Sequence, residues 1–127
     1  MKNKPRTLTE QELEFMKVVW EKKTATVREV YEALRQRKAV AYTTVSTMMN
    51  ILETKGHLVK KAEGRAYVYE PSQAQTQVIS GMVQDFVDRV FDGAAQGLLL
   101  NLVKERKLSK SDLEEISRLI EETPDEP

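Results

Sequence analysis

Apolar residues recur along this chain at helical spacing first, then in alternation, then at helical spacing again. Between Glu10 and Glu21 they are Leu13, Phe15, Met16, Val18, Val19 and Trp20. That is too many for one narrow stripe, so the segment predicts a helix at the centre of a core. Thr9 followed by Glu12 forms a capping box, in which each side chain satisfies a backbone donor that the helix start leaves free. Thr26 and Glu29 repeat the pattern, and Val27, Val30, Tyr31 and Leu34 predict the buried stripe of a second helix. The β-branched stretch Thr24 to Thr26 leaves room for a minor strand before it. Arg35, Arg37 and Lys38 close this helix, where positive charge suits the negative end of its dipole. After a link from Ala39 to Ala41, the run Tyr42 to Thr54 is helical again, with Val45, Met48, Met49 and Leu52 on one side. Gly56 supplies its C-terminal cap.

The period then shortens. HLVKKA and AYVYEP are β-rich runs separated by Glu63-Gly64-Arg65, which reads as a hairpin. Tyr67 and Tyr69 alternate with Ala66 and Val68, as in a half-buried strand, and Pro71 ends it. Residues 1–71 therefore read as helix, minor strand, helix, helix and hairpin. This is the order of a winged helix-turn-helix, with the third helix placed for the DNA groove.

Beyond Pro71 the helical period returns for residues 72–127. One long helix is expected from Ser72 to about Asp92, carrying Val78, Ile79, Met82, Val83, Phe86, Val87, Val90 and Phe91, with Gly93 as its break. A second covers Ala94 to Lys104, and a third starts at the Ser109–Asp112 cap with Leu113, Ile116, Leu119 and Ile120 in register. The tail TPDEP is expected to fray. Three helices of this size cannot bury so much apolar surface alone. They could pack on the first domain, but a second copy of the same helices is the favoured partner. Ile79, Met82, Phe86, Leu98, Leu102, Ile116 and Leu119 would form that two-fold dimerisation seam. The fold class expected is thus mainly α with a small β-hairpin: an N-terminal winged helix-turn-helix and a C-terminal three-helix dimerisation region.

The third helix carries the candidate chemistry. Opposite its apolar side lie Thr43, Ser46, Thr47, Asn50 and Thr54, with Thr44 beside them. A face turned only to water is usually written with Lys, Glu, Gln and Arg, which favour helix. Short uncharged donors and acceptors instead suit a helix lying close against another polar surface, of which the DNA major groove is the commonest. An ordinary solvated face in a Thr-rich helix would look the same in isolation; the flanking hairpin tips the balance. Thr43, Thr44, Ser46, Thr47 and Asn50 are expected to meet DNA from the helix, and Lys60, Lys61 and Arg65 to hold its backbone or minor groove from the wing.

Charge sharpens this division. The 127 residues carry no net charge, yet residues 1–71 hold 14 Lys/Arg against 9 Asp/Glu, and residues 72–127 hold 6 against 11. A basic half joined to an acidic one suits a nucleic-acid-binding module followed by a part that does not touch DNA. Apolar residues make up 40% and charged residues 31%, an ordinary globular balance. No apolar run approaches the roughly 20 residues that span a membrane, and MKNKPRTLTEQ lacks the apolar centre of a signal peptide, so a cytoplasmic location is expected without membrane insertion. With no cysteine, disulfides and thiolate metal sites are ruled out. The one histidine, His57, lacks a partner histidine and reads as a surface or strand residue. No metal or other cofactor is expected. An enzyme would need a cluster of titratable or nucleophilic groups, and the sequence offers none.

LTEQELEFMKVVW, TVREVYEAL, AYTTVSTMMNILETKGHLVKK and EGRAYVYEP together resemble the BlaI/MecI family of penicillinase repressors, over roughly residues 8–122. The YTTV…T…L..KG block followed by a GRAYxY wing is specific in combination. The resemblance implies a dimeric transcriptional repressor on a two-fold symmetric operator, often with TGTA-like half-sites, in the setting of antibiotic resistance. It also implies release when a membrane-bound sensor metalloprotease leads to cleavage in the dimerisation region. The cut in the family lies at an Asn-Phe bond, and GLLLNLV puts Asn101-Leu102 at the matching place, with leucine where the family has phenylalanine. Ile51 stands where many members carry arginine on the reading helix, and the cysteine-rich tail of the copper-responsive branch is missing. The rival reading is a MarR-like regulator controlled by a small molecule, whose pocket between domains leaves little trace in sequence.

Overall fold

The computed structural model describes residues 8–123, so the basic tail from Met1 to Thr7 and the last four residues of the chain lie outside it. Three helices come first, α1 over Glu10–Lys22, α2 over Val27–Leu34 and α3 over Tyr42–Thr54. The hairpin follows, β1 over Leu58–Glu63 and β2 over Ala66–Pro71, and then α4 over Gln75–Val90, α5 over Ala95–Lys104 and α6 over Lys110–Glu122. The chain divides into two compact units that meet between Met82 and Val83. The first turns of α4 therefore belong with the first unit.

That unit is built around α1. Phe15, Met16, Val18 and Val19 are all buried on it, and Val30 and Leu34 from α2 and Val45, Met49 and Leu52 from α3 complete the core. Leu58 and Tyr69 close it from the hairpin, while Val78 and Met82 of α4 pack against its edge. Of the expected apolar positions, Leu13, Trp20, Val27, Tyr31 and Met48 are only half-buried and pack against this core. Both capping boxes form, with the Glu12 and Glu29 amides donating to the hydroxyls of Thr9 and Thr26 at 3.0 and 3.1 Å. α3 ends in a Schellman motif: the Gly56 amide donates to the Glu53 carbonyl and the His57 amide to that of Leu52. Gly56 sits at φ +90°, which a side chain would strain.

The hairpin is antiparallel, from Leu58↔Pro71 at its base to Glu63↔Ala66 at its tip. Glu63, expected in the turn, pairs as a strand residue, leaving a two-residue Gly64-Arg65 loop. Positive φ is confined to Gly64, as in a type II′ turn. The minor strand expected at Thr24 to Thr26 shrinks to one bridge, in which Ala25 and Tyr69 exchange both backbone hydrogen bonds at 3.0 and 2.8 Å. β2 does not show the expected alternation of a half-buried strand: Tyr69 is 2% exposed but Tyr67 is 56% exposed. The cause is reach, since the tip of the hairpin extends past the core that covers Tyr69.

The helix expected from Ser72 begins instead at Gln75. Ser72 donates its amide to the His57 carbonyl at 2.9 Å and the Gln73 carbonyl accepts from Trp20 Nε1 at 3.1 Å, so this stretch is pinned in a non-helical path. In the second unit, Ser109 and Asp112 form a third capping box. α5 ends in a second Schellman motif whose left-handed position is Arg106, at φ +61°. Gly97 lets α5 lie against an aromatic ring, because a Cβ there would stand 2.9 Å from Phe91 Cδ1. Phe91 in turn meets Phe86 edge-on, with centroids 6.0 Å apart.

Candidate DNA-binding interface

α3 turns Val45, Met49 and Leu52 into the core and leaves the opposite side uncovered. Thr43, Thr44, Thr47, Asn50 and Thr54 are exposed and Ser46 is half-buried, so the polar residues singled out from the sequence share one accessible surface. Thr47, Asn50, Ile51, Thr54 and Lys55 line a shallow groove along it. The helix starts at Ala41, which offers no side-chain acceptor, so its first amides have no capping partner. Those amides and the dipole behind them favour an anion such as a DNA phosphate.

The wing residues separate by strand register. Lys60 pairs with Tyr69 and Lys61 with Val68, so the two lysines face opposite sides of the hairpin. Lys60 Nζ lies over the Tyr67 ring at 4.4 Å and over the Tyr69 ring at 5.8 Å. Lys61 instead pairs with Glu70 at 2.8 Å, which neutralises much of its charge. Arg65 in the loop is exposed and makes no ion pair among the described residues. Lys60 and Arg65 thus remain available to a phosphate, and Lys61 less so.

Some contributors were not marked by the sequence pattern. Tyr69 donates its hydroxyl to Asn50 Oδ1 at 3.1 Å, joining the wing to the polar face of α3. Tyr42, at the start of that helix, is 42% exposed, with the Arg28 guanidinium 5.3 Å over its ring and Tyr31 edge-on at 5.4 Å. Ile51 is 36% exposed beside Asn50, where an apolar side chain can meet a thymine methyl. The tyrosines and Arg28 come together only in three dimensions, so no spacing along the chain announces them.

Behind α3 sits a charged cluster. Lys55, at the end of α3, reaches Glu12 Oε2 at 2.6 Å, while the other Glu12 oxygen accepts the Thr9 amide. Burial pushes the Glu12 carboxyl up, but the hydrogen bonds from Lys55 and Thr9 and the charges of Lys55 and His57 outweigh it and hold it below its ordinary value. His57 is buried rather than at the surface, because the tight α3–β1 connection turns it inward next to the core residue Leu58. Its Nε2 has no hydrogen-bond partner among the described residues. Burial lowers the His57 pKa, the Glu12 charge opposes that and Lys55 adds to it.

The proposed dimer residues fall into two sets. Phe86 and Leu119 are exposed, at 41% and 55%. Ile79, Met82, Leu98, Leu102 and Ile116 are half-buried, and Met82 packs on the first unit's core. Val83, Val90, Leu99, Leu100, Val103 and Ile120 are further exposed apolar residues of the second unit. Asn101 is exposed and Leu102 half-buried within α5, and the Asn101 carbonyl accepts the Glu105 amide at 3.0 Å. No helix among the described residues is long and apolar enough to cross a membrane.

Three helices around one core, a polar third helix open on its outer side and a hairpin hydrogen-bonded to it define a winged helix-turn-helix protein. The chain belongs to the penicillinase repressor family, whose family model matches residues 8–122. It is 30% identical over 115 residues to the penicillinase repressor of Bacillus licheniformis, covering 91% of this chain and 90% of that one. Against the methicillin resistance regulatory protein MecI of Staphylococcus aureus it is 26% identical, over 94% and 98% of the two chains. The solution structure of the DNA-binding domain of the repressor BlaI superposes with a TM-score of 0.51 at 34% identity, covering 60% of this chain and 92% of that one. The Bacillus licheniformis BlaI monomeric form, in complex with the blaP half-operator, matches with the same TM-score at 33% identity, over 57% and 89% of the two chains.

Proposed function

We propose that this protein is a transcriptional repressor that binds operator DNA as a homodimer, acts in the cytoplasm and is released by proteolysis. The observation that carries the first part is the exposed polar face of α3, held beside a hairpin whose Lys60 and Arg65 remain free for phosphate. Thr43, Ser46, Thr47 and Asn50 read base edges, Thr44 meets DNA beside them, and the wing anchors the backbone. Similarity to repressors named for penicillinase and methicillin resistance, one of them solved on a half-operator, supports the same reading. Selecting duplexes from a random-sequence library tests it: the winners should carry an inverted repeat with half-site centres about one helical turn apart. Recovery of unrelated sequences, bound no better than bulk DNA, would overturn it.

Release is assigned to the Asn101-Leu102 bond. Asn101 is exposed, and α5 starts without a side-chain cap and ends on a left-handed Arg106, so this helix is well suited to local unwinding. A cut there separates α6 from the rest, and with it Ile116 and Leu119. A truncation ending at Asn101 should fold through its first unit, sediment as a monomer and bind the selected duplex roughly 10²–10⁴-fold more weakly. Undiminished affinity in that fragment would remove cleavage at this bond as the switch.

A further inference from the structure

We infer that Tyr69 is a positioning residue for base reading: it holds the carbonyl end of the Asn50 amide, so that Asn50 meets DNA with its NH2 group and reads a base acceptor. This rests on α3 being the DNA-reading helix. Asn50 is exposed on that helix, whereas Tyr69 is 2% exposed and anchored through its backbone to Ala25 on one side and to β1 on the other. From that fixed base its hydroxyl donates to Asn50 Oδ1 at 3.1 Å. The sense of the bond has a physical reason. Lys60 Nζ, 5.8 Å from the Tyr69 ring centroid, draws on the ring's electrons and makes the phenol a better donor and a poorer acceptor.

An unconstrained asparagine favours adenine, accepting from N6 while donating to N7. With Oδ1 engaged by Tyr69, the amide plane is set and that two-point contact is disfavoured. The NH2 donors stay free for guanine O6 or N7, or thymine O4. Ile51, adjacent on the same groove, is placed for a thymine methyl on a neighbouring base pair.

The probe is a duplex selected by the unmodified protein from a random-sequence library, with each base pair then replaced in turn. Asn50→Ala identifies the base pair it reads, as the position where discrimination disappears. At that pair Tyr69→Phe should lower discrimination roughly tenfold and move the preference toward adenine. Binding to random DNA and the salt dependence should change less than about twofold, because no phosphate contact is removed. Adding Asn50→Ala to Tyr69→Phe should abolish the adenine preference, because the freed Asn50 amide is what still reads that pair. Asn50→Asp gives a second route should Tyr69→Phe fold poorly: it still accepts from Tyr69 but replaces the free donor with an acceptor, so preference should shift to the cytosine N4 amine. Wild-type discrimination in Tyr69→Phe, equal weakening at every base pair, or no shift in Asn50→Asp would each overturn the inference while leaving DNA reading by α3 intact. If the unmodified protein selects no sequence at all, the reading of α3 fails and takes this inference with it.

Discussion

Asn50 and Arg65 sit on the two parts of the proposed interface and should fail in different ways. Asn50→Ala should cost about 1–3 kcal/mol of discrimination against the wrong base pair, with little change on random DNA. Arg65→Ala should weaken all sequences alike and reduce the slope of affinity against salt by roughly one. Titrations on operator and random duplexes at several salt concentrations separate the two; a uniform loss in both variants would take Asn50 off the base edges. His57 makes a third test, through pH. Its pKa is lowered in the folded chain, so the unfolded state binds the proton first, and stability falls as pH drops through the ordinary histidine range near about 6.5. The melting temperature should decline from about pH 7 to 5.5, a window above that of Glu12, and His57→Leu should flatten that decline. The polar face of α3 could be found from sequence because its residue types are unusual for a solvated helix. The inward turn of His57 could not, because it depends on how Gly56 closes the Schellman motif ahead of it.

Among the elements, α1 and α3 are joined at one point by charge. Glu12 serves two partners at once, capping α1 through one oxygen and holding Lys55 through the other. Glu12→Gln keeps an acceptor for the Thr9 amide but leaves Lys55 without a counter-charge, at a cost of about 2 kcal/mol measured by chemical unfolding. The carboxyl is held below its ordinary value, so the wild-type gain is present above the normal carboxylate range and lost as acid reaches the folded pKa. A variant as stable as wild type at pH 7 would mean that the pair contributes nothing net. Glu12 was legible from the sequence as a cap but not as an ion-pair partner, since 43 positions separate it from Lys55. The starts of α1, α2 and α6 were readable because capping boxes are local: Thr9, Thr26 and Ser109 each form theirs. The start of α4 was not, because Trp20 and His57 hold residues 72–74 from a distance.

The whole chain carries apolar surface out of proportion to its second unit. Eight large apolar residues there are exposed, among them Phe86, Leu100, Leu119 and Ile120, and Val87 is the one buried residue of its helices among those described. A unit of about 40 residues is at the lower limit for folding without a partner. A second copy is the cover proposed above, and Phe86→Asp should disrupt it by placing an unpaired charge in an apolar seam. Sedimentation should then show a monomer at micromolar concentration where the unmodified protein is a dimer, with operator affinity down by roughly 10²-fold or more. A monomeric unmodified protein would refute the dimer directly. The sequence pattern marked the apolar positions of these helices but could not separate exposed ones from those packed within the unit, since both recur at helical spacing.

The three capped helices, α1, α2 and α6, contrast with α3 and α5, which begin at Ala41 and Ala94 with no side-chain acceptor for their first amides. In hydrogen–deuterium exchange those two starts should take up deuterium early, while the capped turns of α1 and α2 lag behind. Operator DNA should then slow exchange at Thr43 and Thr44, where a phosphate can occupy the vacant acceptor position, and leave the start of α5 unchanged. Under the cut proposed at Asn101-Leu102, the rate at which α5 opens would cap the rate of derepression, however fast the protease itself works.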